Sequence, residues 1–165
     1  MADFPTKKYG VIYADPPWQF KLRSDKGKDK SPERHYPVLS LTDICRLPVD
    51  TITEDNAVLL MWVCDPMLDQ AFKVIDAWGF TFKTVGFTWA KTNRKKLGFF
   101  TGLGYWTRGN PEMCLLATKG RPKRKAMDVA QLVISQRGRH SEKPLLHKEI
   151  ERLVDGPYIE LFARK

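Results

Sequence analysis

Cysteine is scarce in this chain: Cys45, Cys64 and Cys114 are all that its 165 residues hold. They are odd in number, far apart and without a Cys-x-x-Cys pair, which excludes a disulfide-stapled scaffold. They read instead as buried free thiols of a reducing compartment. Histidine is as sparse. His35, His140 and His147 follow no ligand spacing, so no metal site, structural or catalytic, is expected. No apolar stretch approaches the ~20 residues that cross a bilayer. Asp3 and Pro5 precede any apolar run, which is unlike a secretory leader. There are no internal repeats, and outside the polar stretch 24–33 there is no low-complexity segment. Acids are also in deficit, with 19 Asp and Glu against 28 Lys and Arg, a net charge of +9.

What is present is the make-up of a globular domain, 42% hydrophobic and 28% charged. The length suits one core and is short for two, so residues 1–165 are read as a single domain. The excess of cations points to a polyanionic partner, and their distribution sharpens the point. They crowd into Lys21, Arg23, Lys26, Lys28 and Lys30, then Lys91, Arg94, Lys95 and Lys96, then Arg121, Lys123, Arg124 and Lys125, then Arg137 and Arg139. Each cluster falls between apolar runs, where loops belong. A single such cluster is an ordinary solvated loop; several on one small domain favour nucleic acid.

The apolar runs alternate in type. Tyr9–Ala14 reads as a buried strand, and residues 57–63 as another, apolar without a break and so covered on both faces. A helix follows, with Asp65 as N-cap, Pro66 at its first position and Gly79 past its end. Strands are expected at 81–90, 113–117, 129–135 and 158–162, a helix opened by Pro144 and closed by Gly156, and a short helix at 42–46. Residues 24–33 and 98–109 are expected to be loops. Strands interleaved with amphipathic helices give an α/β domain with a mainly parallel central sheet and helices on both faces. Ligands of such sheets bind beyond the carboxyl ends of the strands.

The first strand ends on Asp15-Pro16-Pro17-Trp18. Each proline fixes its own φ, lacks an N–H and pushes the preceding residue out of the α region. Asp15 and Pro16 are therefore held extended as acceptors, with the flat face of Trp18 beside them. A carboxylate, a carbonyl and an aromatic plate suit an exocyclic amine on a planar base. The same tetrad also suits a plain strand-to-loop turn in which Trp18 caps the core. On the residues alone both readings stand.

Further blocks decide between them. Tyr-x-x-x-x-Asp-Pro-Pro-Trp resembles the signature of the amino-group methyltransferases that act on adenine N6. His35-Tyr36-Pro37-Val38-Leu39-Ser40 resembles the H-Y-P-x-M/L-S segment of the family that contains the messenger-RNA methylating catalytic subunit and its bacterial and phage relatives. Leu60-Met61-Trp62-Val63 resembles that family's F-L-W-V, and Trp89-Ala90-Lys91-Thr92-Asn93 its W-V-K-T-N. Gly104-Tyr105-Trp106 with residues 110–115, Ser141-Glu142-Lys143-Pro144 and residues 159–164 match its remaining blocks, in the family's order, over residues 9 to 164. The resemblance implies a Rossmann-like fold of permuted motif order that uses S-adenosyl-L-methionine (SAM).

It also implies roles. Asp15 and the Pro16 carbonyl would accept the two N6 hydrogens, with Pro17 holding the loop, while Trp18 and Tyr36 would hold the extruded base near Glu112. Lys143 matches the contact to the methionine carboxylate, Glu160 stands where nucleotide-binding folds place an acid for ribose hydroxyls, and Arg164 matches a donor contact; Asp15 also borders the donor. Lys91, Arg94, Lys95, Lys96, Arg137 and Arg139 would track phosphates. The family's G-W-x-x-W-G-N-E/Q segment has no counterpart in these residues, which carries an expectation of weaker donor binding. DNA is the expected substrate, in the cytoplasm of a bacterium or phage-infected cell. The alternatives are RNA adenosine methylation and a non-catalytic nucleic-acid-binding subunit.

Overall fold

The computed structural model describes residues 4–19, 39–139 and 142–163. Tyr36, His35, His140, Arg164, the polar stretch 24–33 and the basic cluster from Lys21 to Lys30 lie outside the described residues.

Strand β1 is Tyr9–Ala14, and all of it but Tyr9 is buried. It lies beside the long strand β2, Thr53–Val63, whose stretch from Ala57 onward is buried throughout. Alternation explains why that stretch is apolar without a break. Ala57, Leu59, Met61 and Val63 enter one core cluster, while Val58, Leu60 and Trp62 enter the other. The first cluster is covered by helix α1 (Leu41–Arg46) through Ile44 and by helix α2 (Leu68–Ala77) through Ala71, Val74 and Ile75. The second is covered by helix α3 (His147–Leu153) through Ile150, with Leu146 and Val154 at its ends. Helices therefore cover both faces of one sheet.

The other strands are β3 (Thr81–Thr92), β4 (Glu112–Lys119), β5 (Leu132–Gln136) and β6 (Tyr158–Leu161), and the six lie in the order β5-β3-β4-β2-β1-β6. β1 pairs in parallel with β2 and β6, and β3 with β5, but β4 is antiparallel to both β2 and β3. The sheet expected to be mainly parallel is mixed, with β4 running against the other five strands. The cause lies in residues 93–111, which join β3 to β4 without a helix; a parallel neighbour needs a crossover, usually helical. The reversal places the site. It sets Glu112, the first residue of β4, opposite Trp89 of β3, and Met113 opposite Val63, the last residue of β2.

Boundaries move for local reasons. Asp65 is not the N-cap: Asp65–Met67 form a 3-10 turn that Cys64 caps, where Pro66 loses no hydrogen bond, and Met67 is the N-cap of α2 itself. Gly79 ends the helix at φ +84°, a conformation that favours glycine. Pro144 does not open the second helix, which starts at His147 without a side-chain cap. The buried Leu146 before it anchors that start in the core. The fifth strand begins at Leu132 rather than 129, and Phe162 lies past β6 at φ +62°. All three cysteines are free; Cys114 is buried, whereas Cys45 and Cys64 are only half-buried, short of the full burial expected.

Candidate active site

Asp15 leaves β1 with its N–H still bonded to the Leu161 carbonyl of β6 (3.3 Å). Pro16 is buried behind it, and the Trp18 N–H closes a tight turn onto the Pro16 carbonyl (2.9 Å). One lone pair of that carbonyl is therefore engaged by Trp18 rather than by either proline, neither of which has an N–H to give. The Pro17 carbonyl accepts from the Leu39 N–H at 3.2 Å. Trp18 itself is only 4% exposed, and its indole N–H donates to the Trp62 carbonyl at 2.9 Å. The open stacking face expected of Trp18 is thus a core pillar that ties the acid–proline turn to the end of β2.

Four side chains from four parts of the chain form a row of alternating charge. Asp15 Oδ1 lies 3.9 Å from Lys143 Nζ; Lys143 Nζ lies 2.6 Å from Glu112 Oε2; Lys91 Nζ lies 2.8 Å from Glu112 Oε1. Both lysines lie against tryptophan rings, Lys143 Nζ at 5.7 Å from the centroid of Trp62 and Lys91 Nζ at 5.1 Å from that of Trp89. The two indoles meet edge to face at 6.4 Å, and the Trp62 N–H donates to the Tyr13 hydroxyl at 2.7 Å.

Burial alone would raise the Glu112 carboxyl, but Lys143 and Lys91 outweigh it and hold it below the usual glutamate value. Nearby groups move the other way. Burial, with the Glu112 charge adding to it, pushes the Cys64 thiol up to about 12 and raises Asp65. Burial likewise raises Tyr13 and Cys114. Among these neighbours, no thiol is prepared as a nucleophile at neutral pH.

Asp15, Glu112 and Lys143 thus come together. Lys91, expected on phosphates, is instead ion-paired within the row. Glu160 lies on β6 opposite Tyr13 and pairs with His147, Nε2 to Oε2 at 3.1 Å, apart from the row; His147 in turn stands edge-on to Tyr13 at 6.3 Å. Arg94, Lys95 and Lys96 are exposed on a turn held by the Asn93 side-chain amide, which donates to the Leu97, Gly98 and Phe99 carbonyls. Arg137 stacks on Phe100 at 4.3 Å, and Arg139 is exposed.

Trp62, Tyr13 and His147 have no site role legible in the sequence, and Asn110 has only a local one. Asn110 accepts from the Lys91 N–H and donates to the Lys91 carbonyl, both at 2.9 Å, and so fastens the 93–111 connection beside the site. An Asn before Pro111 is the local signal for it. Among the described residues, no group of three or more His, Cys, Asp or Glu is placed to hold a metal, and no helix is long and apolar enough to cross a membrane.

A sheet covered by helices, with an acid–proline–proline turn, a lysine and a glutamate converging where its strands end, has the arrangement of a methyltransferase-type α/β domain. The chain belongs to the MT-A70 family, whose model matches residues 9–165. It is 35% identical to the type II methyltransferase M.MunI of Mycoplasma sp, over 97% of this chain and 74% of that protein. It is 28% identical to the human N(6)-adenosine-methyltransferase catalytic subunit METTL3, over 95% of this chain but 26% of that protein. The MT-A70-like N(6)-adenosine-methyltransferase of Arabidopsis thaliana is 26% identical, over 94% of this chain and 22% of its own length.

Proposed function

We propose that this protein is a SAM-dependent methyltransferase that transfers a methyl group to N6 of adenine in DNA, and that residues 1–165 act as one Rossmann-like domain of permuted motif order. The observation that carries the reading is Asp15: a partly exposed carboxylate held on a proline turn at the end of β1, 3.9 Å from a largely buried lysine. The greater similarity to a type II methyltransferase than to the adenosine methyltransferases favours DNA over RNA.

The residues fit the donor by charge and place. Lys143 is a mostly buried ammonium at the strand-end edge, suited to a methionine carboxylate, and Glu160 near the end of β6 suits ribose hydroxyls. Arg164 would add a further contact. When bound, SAM supplies an electrophilic methyl on a sulfonium. The chain's own task is at the amine. Asp15 and the remaining lone pair of the Pro16 carbonyl accept its two N–H groups, which localises the nitrogen lone pair that ring conjugation withholds. Asp15 then stands ready for the proton that the nitrogen releases. No strong base is required; positioning and fixed charge carry the rate. Glu112 borders the acceptor pocket, and Tyr36 is assigned to hold the base there. Such a protein works in the cytoplasm, beside its substrate.

The test is methyl transfer from labelled SAM to matched DNA and RNA oligomers, with the product identified as N6-methyladenine by mass spectrometry. Transfer to RNA alone would select the adenosine-methylating alternative. No calorimetric heat with SAM at high concentration would leave only a nucleic-acid-binding subunit.

The exposed turn of Arg94, Lys95 and Lys96 is assigned to the DNA backbone. Replacing all three by Ala should make the slope of log K against log salt shallower by about 0.9 for each phosphate no longer neutralised, roughly 2 to 3 in total. Salt titrations of DNA affinity check this, and an unchanged slope removes the turn from the interface.

A further inference from the structure

All five tryptophans lie among the described residues, and four of them are 4% exposed or less. Trp106 is 87% exposed, and its φ of +72° is a conformation that a bulky L residue rarely adopts. The turn around it is built to hold that posture. The Thr107 N–H donates to the Tyr105 carbonyl at 3.0 Å, Arg108 to the Gly104 carbonyl at 3.1 Å, and the Gly102 N–H to the Gly109 carbonyl at 2.7 Å. A Cβ on Gly104 would stand 2.1 Å from the Thr107 carbonyl oxygen, so only glycine fits there. Strain maintained to show a large apolar face to solvent points to function.

The surroundings say what kind of partner covers it. Residues 93–111 hold Arg94, Lys95, Lys96 and Arg108 and no acid at all. Asn110 pins the base of this connection to Lys91, and Glu112 follows at once, in the charged row with Asp15. Exposed aromatic surface on a connection that carries cations and no acid, and that leads straight into Glu112, fits nucleic acid, in which phosphates meet the cations and a base meets the ring.

We propose that Trp106 is a base-stacking residue, seated on a nucleobase of the substrate strand near the reacting adenine. This rests on the proposed function for the identity of the strand, and it assigns Trp106 to binding rather than to chemistry. Stacking of a base on one aromatic ring sets the expected effect at about tenfold in affinity.

Because the other indoles are buried, the acrylamide-accessible part of the intrinsic fluorescence reports on Trp106. A short adenine-containing single-stranded DNA, added without SAM, should quench that emission and shield it from acrylamide. Trp106→Ala should weaken DNA binding and raise the KM for DNA about tenfold, with kcat within about twofold and SAM binding unchanged by calorimetry. Trp106→Phe should recover most of the affinity. Equal DNA affinity of wild type and Trp106→Ala overturns the proposal. So does a Trp106→Ala variant that keeps its DNA affinity while sedimentation shows a wild-type dimer falling to monomers, which would make the occupant a second copy. If the wild type shows DNA-dependent quenching but no methyl transfer, the proposed function fails while the stacking role stands.

Discussion

Asp15→Asn should lower methyl transfer to DNA by about 10²–10³-fold while leaving the fold intact. The scale is that of removing one preorganised group aimed at charge that develops in the transition state. Asparagine keeps the shape of aspartate but replaces an acceptor oxygen with an NH2 donor, which meets the amine's own N–H groups head on. It also removes the negative charge nearest the nitrogen as that nitrogen becomes positive. Folding should tolerate the change, because Asp15 is partly exposed and its contact with Lys143, at 3.9 Å, is the longest in the row. Single-turnover transfer from labelled SAM is the measurement, with thermal unfolding as the control. A rate within about threefold of wild type would remove Asp15 from the chemistry. A collapse of DNA affinity at an unchanged rate would make it a binding residue.

Those parts of the molecule whose cause is local were legible from sequence. β1 is found where its apolar run begins and ends, and α2 stops at Gly79 because a positive φ there has a known taste for glycine. The acid–proline turn was legible for the same reason, since proline acts on its own φ and on its neighbour. What failed depends on partners far away in the chain. Trp18 looks like a stacking plate until Trp62, 44 residues on, offers its indole N–H a carbonyl and the core closes over the ring. Lys91 looks like one more loop cation until the reversal of β4 brings Glu112 beside it. Neither the hydrophobic period nor the charge count encodes that reversal; it follows from a connection that carries no helix. The helix expected near Pro144 is there, but its start moves for a related reason, because the beginning at His147 is set by burial of Leu146 rather than by a capping residue.

Glu112→Gln should destabilise the protein by about 2–3 kcal/mol at neutral pH, below the usual 3–5 for breaking a fully buried pair because Glu112 keeps 13% of its side chain exposed. The loss follows from counting charges. Glu112 is the acid shared by Lys143 at 2.6 Å and Lys91 at 2.8 Å, and both ammoniums lie within the same low-exposure row. Glutamine accepts from one of them and neutralises neither. The pH dependence separates this from a packing defect. Because the lysines hold the folded carboxyl below its ordinary 4.5, the stabilisation is fully present above that value and is lost as the pH falls through the folded value. The gap in unfolding free energy between wild type and Glu112→Gln should therefore be widest at neutral pH and close on acidification below 4.5. Lys143→Met in the Glu112→Gln background should recover part of the loss, since it removes a buried charge that glutamine does not neutralise, and a double-mutant cycle gives the coupling. A gap that stays constant from neutral to acid pH would show that Glu112 acts through packing, and the charged row would then be a consequence of the fold rather than part of what holds the strand ends together.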